Sequence, residues 1–309
     1  MEQMTFRELT DKMVLFYTEG KFADALQLVE QHAARFPEQS ARTTFWKMCL
    51  LSLCNRPDDV LSVFRQGLDS GLWWAADQFL DTDLGAVRDL PEFKRLMEAS
   101  QKKYEEARGQ IKRDHAILLP EPPASGKYPL LIALHGRNGN KEADLDYWEI
   151  ARQRGWLVLL PQSTQPLFPD SYCWDDPAQG LADLLFYYEQ VSQKYQIDPQ
   201  RVVIAGFSQG SGMAIYAALK GNLPVRGFIA IATWWADASE LACERNVRGY
   251  FVVGEKDHTL ERAREIQDTL RRNNVQFGEE VHADLRHAFP ADFEPSFDKA
   301  IDFIFMEQE

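Results

Sequence analysis

The stretch Arg201-Val202-Val203-Ile204-Ala205-Gly206-Phe207-Ser208-Gln209-Gly210 decides the fold of this chain. Its first half is a run of apolar, largely β-branched residues, which predicts a buried strand. A Gly-x-Ser-x-Gly motif follows at once, and residues 213–220 after it favour a helix. This order predicts a nucleophile elbow, a strained turn that holds a serine hydroxyl above a sheet. The glycines avoid the clash that a Cβ atom would make there. Ser208 is therefore the candidate nucleophile, and a serine in an ordinary strand-to-helix turn is the alternative.

Two regions of the chain differ in pattern. Through residues 1–109, apolar residues recur at three- and four-residue spacing between turn residues such as Gly20 and Pro37. This spacing predicts a small all-helical domain of paired helices. From 110 to 309, strand-like and helical segments alternate, which predicts a mostly parallel α/β sheet covered by helices on both faces. The main predicted strands are residues 115–119, 129–134, 156–160, 202–205, 227–232, 250–253 and 276–282.

One part of the helical domain resembles a tetratricopeptide repeat. The stretch Gly20-Lys21-Phe22-Ala23-Asp24-Ala25-Leu26, followed by Phe36-Pro37, is similar to the second half of that repeat. The resemblance implies that glycine allows a tight turn, alanine allows close packing and proline ends the second helix. Two roles for this TPR-like domain stay open. It is either a helical prop for the second domain or a docking surface for a protein partner or a second copy.

A serine hydroxyl needs a base close by, and the base needs an orienting carboxylate. After such an elbow the two partners follow in the order acid, then histidine. Asp257, in the loop that leaves the strand at 250–253, is the predicted acid. Glu255 is the alternative acid, and an N-cap role for Asp257 is also open. Of the six histidines, only His287 combines this order with a loop after the last strand, so His287 is the predicted base.

Acyl transfer also needs preorganised N–H donors for an oxyanion. The main-chain N–H of Gln209, directly after the candidate nucleophile, is the first predicted donor. The second is expected from the loop after an early strand, and the strand at 129–134 ends in His135-Gly136. Gly136 lets the backbone approach a bound carbonyl, which makes it a predicted substrate-binding residue. The N–H of Arg137 is the second predicted donor, and His135 is expected to brace the loop.

Together these motifs resemble the α/β-hydrolase superfamily. The motifs are His135-Gly136, 206–210, Gly254-Glu255-Lys256-Asp257 and His287-Ala288-Phe289-Pro290. The chain is most similar to the phospholipase/carboxylesterase group that includes acyl-protein thioesterases, with dienelactone-hydrolase-like and feruloyl-type esterases as neighbours. The resemblance covers residues 115–309 and implies a cofactor-independent serine hydrolase. Two features depart from it: Arg286 stands where the family often has glycine, and the helical domain is not part of the usual compact enzyme.

The resemblance also implies where a substrate pocket lies. A tryptophan in the loop after the strand at 156–160 lines the acyl or alcohol pocket of the related esterases, and Trp174 occupies that loop here. Thr233-Trp234-Trp235 follows the strand at 227–232, again at a carboxyl end. One of the two tryptophans is expected to face the site, with Trp234 the candidate, and the other to pack against a helix. The alternative is that all three tryptophans are core aromatics.

Composition limits the partners of the chain. Its 309 residues carry a formal net charge of -13, which disfavours sequence-independent binding to nucleic acid or to an anionic membrane. Four cysteines, Cys49, Cys54, Cys173 and Cys243, form no C-x-x-C pair, and the polar N-terminus lacks signal-peptide order. We therefore expect a cytoplasmic protein without a membrane span. The sequence has no metal-binding or nucleotide-binding motif, so no metal and no cofactor are expected.

The sequence therefore predicts a serine hydrolase that cleaves carboxylic esters through an acyl-enzyme on Ser208, with a small-molecule ester as substrate. Thioester or peptide hydrolysis by the same three residues is an alternative, because the pocket and not the triad selects the bond. A non-catalytic protein that binds a partner through the helical domain is a second alternative.

Overall fold

The computed structural model describes residues 4–124, 126–242 and 246–306, so Cys243 lies outside the described residues. The chain forms two compact units. The helical unit consists of Met1–Ile111 and Pro166–Ser171, and the sheet unit of Lys112–Gln165 and Tyr172–Glu309. The main division falls close to the predicted boundary at residue 109. The inclusion of residues 166–171 in the helical unit is not part of the sequence prediction.

From residue 4 onward, the helical unit is built from five α-helices joined by short turns and 3-10 segments. The helices are α1 (Phe6–Thr18), α2 (Phe22–His32), α3 (Ser40–Leu53), α4 (Pro57–Asp69) and α5 (Pro91–Arg108). A capping box at Thr5 and Glu8 starts α1. Prolines occupy the first positions of α4 and α5, where the missing N–H costs nothing. The predicted N-terminal helical domain is thereby confirmed, whereas its likeness to a tetratricopeptide repeat stays a prediction.

An aromatic cluster forms the core of the helical unit. The ring of Phe64 lies 5.7 Å from that of Trp74, 5.0 Å from Phe79 and 5.4 Å from Phe93. All four side chains are fully buried. The indole of Trp74 donates a hydrogen bond of 3.1 Å to the Ala41 carbonyl, which satisfies its polar atom inside the core.

Within the described residues, the sheet unit contains a seven-stranded sheet, and a separate two-stranded hairpin is formed mainly by residues 166–171 of the helical unit. The strands are β1 (His115–Leu118), β2 (Tyr128–Leu134), β3 (Leu157–Pro161), β4 (Gln165–Phe168), β5 (Ser171–Cys173), β6 (Ile197–Phe207), β7 (Gly227–Ile231), β8 (Arg248–Gly254) and β9 (Gln276–His282). The helices are α6 (Leu145–Gln153), α7 (Pro177–Lys194), α8 (Gln209–Lys220), α9 (Leu260–Arg272) and α10 (Glu294–Phe305).

Strand order in the main sheet is β1-β3-β2-β6-β7-β8-β9. β1 is antiparallel to β3, and the other neighbours are parallel. In register, Leu134 lies opposite Gly206, Phe207 opposite Ile231, and Gly254 opposite His282. The carboxyl ends of β2, β6, β7, β8 and β9 therefore meet along one edge of the sheet, where α/β proteins place their sites.

Both faces of the sheet are covered. Along β2, Leu130, Ile132 and Leu134 belong to one buried apolar cluster, while Leu131 and Ala133 belong to the other. Successive side chains of a strand point to opposite faces, so a strand buried on both sides is a continuous apolar run. This explains why the strands were visible in the sequence, and it confirms the predicted α/β architecture.

The hairpin of β4 and β5 is not among the predicted strands, since the sequence predicts a long loop between the strand at 156–160 and Trp174. Its strands have four and three residues, too short for a recognisable alternation. Asp170 joins them with a φ of 58°, a conformation that aspartate tolerates in turns.

Replacing Phe64 by alanine should destabilise the helical unit by about 3–5 kcal/mol, because a fully buried aromatic ring leaves a cavity. Urea unfolding followed by tryptophan fluorescence would measure the change. Leu15→Ala is the control, since Leu15 is 43% exposed and its truncation should change the free energy of unfolding by under about 0.5 kcal/mol. Equal effects of the two variants would contradict the proposed core.

Candidate active site

Ser208 lies at the carboxyl end of β6, immediately before α8, with φ 53° and ψ -122°. A non-glycine residue at positive φ is strained by about 1–3 kcal/mol and persists only where its surroundings fix it. Here the Ser208 N–H donates to the Ile231 carbonyl at 2.9 Å. The Ser208 carbonyl accepts from the Ser211 hydroxyl at 2.8 Å and from the Trp234 N–H at 3.2 Å. The backbone of the candidate nucleophile is thus held by β7, by the loop that follows β7 and by the first turn of α8.

The two glycines of the elbow have no room for a side chain. A Cβ atom on Gly206 would lie 2.3 Å from the carbonyl carbon of Gly210, and one on Gly210 would lie 2.3 Å from the His135 carbonyl oxygen. These distances are far below van der Waals contact, so the backbone itself would have to move. The close approach also presses the elbow against the end of β2.

The structure brings Ser208, His287 and Asp257 together in one hydrogen-bonded chain. Ser208 Oγ lies 2.9 Å from His287 Nε2. On the other side of the ring, His287 Nδ1 lies 2.9 Å from Asp257 Oδ1 and 3.1 Å from Oδ2. Since the carboxylate can only accept, Nδ1 carries the proton and Nε2 faces the serine hydroxyl as an acceptor. This tautomer is the one that a general base needs.

Asp257 is buried, and two further donors hold it. Its Oδ1 accepts from the Thr259 N–H at 2.8 Å and from the Thr259 hydroxyl at 2.9 Å. Burial alone would raise the pKa of Asp257, but the hydrogen bond and charge of His287, together with Thr259, outweigh it and hold this pKa below its ordinary value. The alternative acid, Glu255, is exposed.

A second close backbone approach brings the acid and histidine loops together. A Cβ atom on Gly254 would lie 2.3 Å from the Leu285 carbonyl oxygen. That oxygen accepts from the Lys256 N–H at 3.0 Å, and the His282 carbonyl accepts from the Glu255 N–H at 3.0 Å. The glycine at the end of β8 therefore lets the loop after β9 cross toward Ser208.

The predicted oxyanion loop lies against the elbow. A Cβ atom on Gly136 would be 3.3 Å from the Phe207 carbonyl oxygen and 3.4 Å from Ser208 Cβ. Gln209 is the first residue of α8, so its N–H has no partner within the helix. Arg137 directly follows Gly136 in the same loop. Each of the two predicted donors thus belongs to a segment that borders Ser208, and their role stays a prediction.

His135 braces this loop, as expected. It is buried, its Nδ1 lies 2.8 Å from the Gly136 carbonyl, and its Nε2 lies 3.3 Å from the Ser163 N–H. Because the main-chain N–H of Ser163 can only donate, Nε2 is the acceptor and Nδ1 carries the proton. Burial lowers the pKa of His135 to about 4 against the opposing effect of the Gly136 carbonyl, so the ring is neutral.

The predicted pocket tryptophans differ in position. Trp174 has no exposed surface, and its indole donates to the His135 carbonyl at 2.9 Å. It therefore supports the predicted oxyanion loop from the core side. Trp234 is partly exposed, while Trp235 is buried and stacks on Tyr216 of α8 at 5.8 Å. A role in substrate binding stays a prediction for Trp174 and Trp234.

Sequence reasoning missed an aromatic stack beside the triad. Phe207 lies 5.0 Å from the His287 ring and 5.1 Å from Phe289, and Phe289 stacks on Tyr147 at 4.0 Å. Phe207 and Tyr147 keep partly exposed surface. Phe207 is the first variable position of the Gly-x-Ser-x-Gly motif, and Phe289 lies two residues after His287, so both were within motifs already recognised.

His258 also lies at the site, with its ring 4.6 Å from that of His287 and its Nδ1 3.6 Å from Asp257 Oδ1. Burial and then the charge of His287 lower the pKa of His258, against the opposing effect of Asp257.

Two clusters among the described residues could offer three metal ligands each: Asp257, His258 and His287, and Cys49, Asp81 and Asp83 in the helical unit. The first uses atoms that already bind one another in the triad.

Two family profiles match the chain. Residues 5–108 match the N-terminal domain of A/B hydrolase-like proteins, and residues 185–284 match the Phospholipase/Carboxylesterase family. A bifunctional acetylxylan esterase/xylanase of Neocallimastix patriciarum is 27% identical over 184 residues, which are 58% of this chain and 26% of that protein. The chain spans about a quarter of the length of the curated relatives it matches.

Solved structures extend the likeness to the whole chain. An uncharacterised protein from Bacillus cereus, 25% identical, covers 98% of this chain and 99% of its own, with a TM-score of 0.54. A ferulic acid esterase, 17% identical, covers 63% of this chain and 94% of its own, with a TM-score of 0.53, and shares the fold. These findings confirm the resemblance to α/β-hydrolases and to the phospholipase/carboxylesterase group.

No helix within the described residues is both long enough and apolar enough to cross a membrane.

Stability should depend on His135 between about pH 6.5 and pH 4. The unfolded chain takes up a proton at the ordinary pKa of 6.5, whereas the native ring does so only near 4. Between these values the unfolded state binds more protons, so the native state loses stability as pH falls, by roughly 3 kcal/mol in total. Unfolding free energies measured across this range should show the stability advantage of wild type over His135→Asn shrinking toward pH 4. A difference that does not change with pH would contradict the buried neutral ring.

Proposed function

We propose that this chain is a serine hydrolase that cleaves carboxylic esters through an acyl-enzyme on Ser208. One observation carries the proposal: a continuous chain of hydrogen bonds, 2.9 Å from Ser208 Oγ to His287 Nε2 and 2.9 Å from His287 Nδ1 to Asp257 Oδ1. A serine, a base in the acceptor tautomer and an ionised carboxylate in this order form the machinery of nucleophilic acyl transfer.

In the first half-reaction, Ser208 Oγ attacks the ester carbonyl carbon and its proton passes to His287 Nε2. The imidazolium that forms is stabilised by Asp257, whose lowered pKa keeps it anionic. The carbonyl oxygen becomes an oxyanion, which accepts hydrogen bonds from the main-chain N–H groups of Gln209 and Arg137. Collapse of this intermediate breaks the ester bond, and the departing alkoxide takes the proton from His287.

In the second half-reaction, water replaces the alcohol. His287 Nε2 takes a proton from the water as its oxygen attacks the acyl carbon, and the oxyanion forms again against the same two N–H groups. Collapse breaks the bond to Ser208 Oγ, which regains the proton from His287. The carboxylic acid leaves, and no redox partner or cofactor is consumed.

The choice of carboxylic esters rests on the family match and on the chemistry of a relative. The matched family is named for phospholipases and carboxylesterases, and the Neocallimastix relative is named an acetylxylan esterase. The partly exposed rings of Phe207, Tyr147 and Trp234 favour a substrate with an apolar or aromatic acyl or alcohol group.

Ser208→Ala should fold normally and lose turnover of p-nitrophenyl acetate by about a million-fold, because the nucleophile is gone. The same variant should no longer react with a fluorophosphonate probe that labels wild type. Ser239→Ala is the matched control, an exposed serine whose loss should leave labelling and turnover unchanged. Labelling of Ser208→Ala at the wild-type rate would overturn the assignment of the nucleophile.

Asp257→Asn should lower kcat by about 10⁴-fold, since an asparagine amide favours the wrong tautomer of His287. Glu255→Gln, a carboxylate-to-amide change in the same loop, should keep kcat within about twofold. Steady-state hydrolysis of the same ester at neutral pH measures both. The reverse pattern would assign the acid to Glu255.

A further inference from the structure

A polar bridge joins the two residues whose N–H groups face the oxyanion in the proposed function. Gln209 Nε2 donates to Asp175 Oδ1 at 2.6 Å. Arg137 Nη1 donates to the same carboxylate, at 2.6 Å to Oδ2. Asp175 therefore links the side chain of the residue after the nucleophile to the side chain of the residue after Gly136.

The segment that carries Asp175 also holds both residues through backbone contacts. The Trp174 N–H donates to Gln209 Oε1 at 3.0 Å, so both ends of the Gln209 amide are bound to neighbouring residues of one segment. In the oxyanion loop, the Asn138 N–H donates to the Tyr172 carbonyl at 3.0 Å, and the Tyr172 N–H donates to the Gly139 carbonyl at 2.9 Å. Residues 172–175 thus contact the loop after β2 and the start of α8 at the same time.

The three residues of the bridge differ in how deeply they are buried. Gln209 is 2% exposed, so its amide would be costly to leave unpaired. The Asp175 and Arg137 side chains are 46% and 32% exposed, so solvent can reach their charges. Burial would raise the pKa of Asp175, but the hydrogen bond and charge of Arg137 and the donor from Gln209 outweigh it and lower this pKa, which keeps the acceptor ionised.

From these contacts we propose that Asp175 is a positioning residue that fixes the spacing of the two oxyanion donors by bridging the side chains of Gln209 and Arg137. It does not touch the oxyanion. The donors are main-chain N–H groups, which no side-chain substitution removes, so loss of the bridge misplaces them. Such stabilisation depends on donors preorganised within a few tenths of an ångström. The inference rests on the proposed function.

Asp175→Ala is the direct test, measured beside wild type on p-nitrophenyl acetate. Deleting one donor outright lowers kcat by about 10²–10³-fold, so misplacing two should lower kcat by about 10–100-fold with KM within about threefold. The inhibition constant of a trifluoromethyl ketone, whose adduct carries an oxyanion, should rise by a similar factor. Asp175→Asn, which keeps an acceptor for Gln209, should fall between wild type and Asp175→Ala.

Two controls separate positioning from general damage. Asp268→Asn removes a carboxylate that pairs with Arg271 on α9 and should leave kcat and the inhibition constant unchanged. Gln209→Ala should resemble Asp175→Ala, and the double variant should be no worse than the more impaired single one, because both remove the same bridge. Circular dichroism and thermal midpoints test whether each variant is folded.

The outcomes are distinct. If wild type neither hydrolyses the ester nor reacts with the fluorophosphonate, the proposed function fails and the role of Asp175 falls with it. If wild type is active but Asp175→Ala and Asp175→Asn keep wild-type kcat, the positioning role alone is overturned. A loss of kcat with an unchanged inhibition constant, or losses that multiply in the double variant, would equally overturn it. Should Asp175→Ala not fold, Asp175→Asn decides by the same two measurements.

Discussion

The positive φ of Ser208 is the constraint on which the rest of the site depends. With φ at 53°, the serine projects from the end of β6 while the chain turns directly into α8. That turn is possible only where Gly206 and Gly210 let backbone approach backbone, with Gly210 against the His135 carbonyl. The same contact that allows the strain therefore brings the predicted oxyanion loop to the candidate nucleophile. The proposed acyl transfer needs an accessible hydroxyl and N–H donors near it, and one close packing of β2 on β6 would supply both.

The other half of the site reaches Ser208 from farther along the sheet. β7 separates β6 from β8. Asp257 and His287 therefore reach Ser208 only because the loops after β8 and β9 extend past the end of β7. Gly254 makes this possible, because any side chain there would collide with the Leu285 carbonyl. Phe207 stacks on Phe289, which follows His287 in the same loop, and Phe207 also lies against the His287 ring. The candidate triad is thus held by backbone contacts and aromatic packing, whereas the predicted oxyanion loop is held by a bridge of polar side chains.

What the sequence predicted well was local. The buried strands and the elbow follow from residues close together in the chain, and the α/β architecture followed from them. The pairing of Ser208 with Asp257 and His287 is long-range, and it was predicted only because the acid and the histidine follow such an elbow in a known order. The bridge from Gln209 through Asp175 to Arg137 was not predictable, because its members are 34 and 38 positions apart and nothing in their spacing indicates contact. The short strands β4 and β5 were missed for want of periodicity, and their pairing depends on a turn at Asp170. The full burial of Trp174 likewise depends on long-range packing. The sequence could place Trp174 in the loop after the strand at 156–160, but it could not show that its indole packs under the loop that begins at His135.

Arg286 illustrates how a departure from a family pattern can be harmless. A glycine before a catalytic histidine is required only if the backbone there must adopt a positive φ or approach another segment closely. Within the described residues, positive φ among non-glycine positions occurs at Asn55, Asn138, Asp170, Ser208, Ala232 and Asn274, and Arg286 is not one of them. Its side chain is exposed, and its carbonyl accepts from the Ala288 N–H at 2.9 Å, which turns the chain tightly around His287. The close approach that the loop does need is made one strand earlier, at Gly254. The arginine can therefore occupy this position because the steric requirement lies elsewhere.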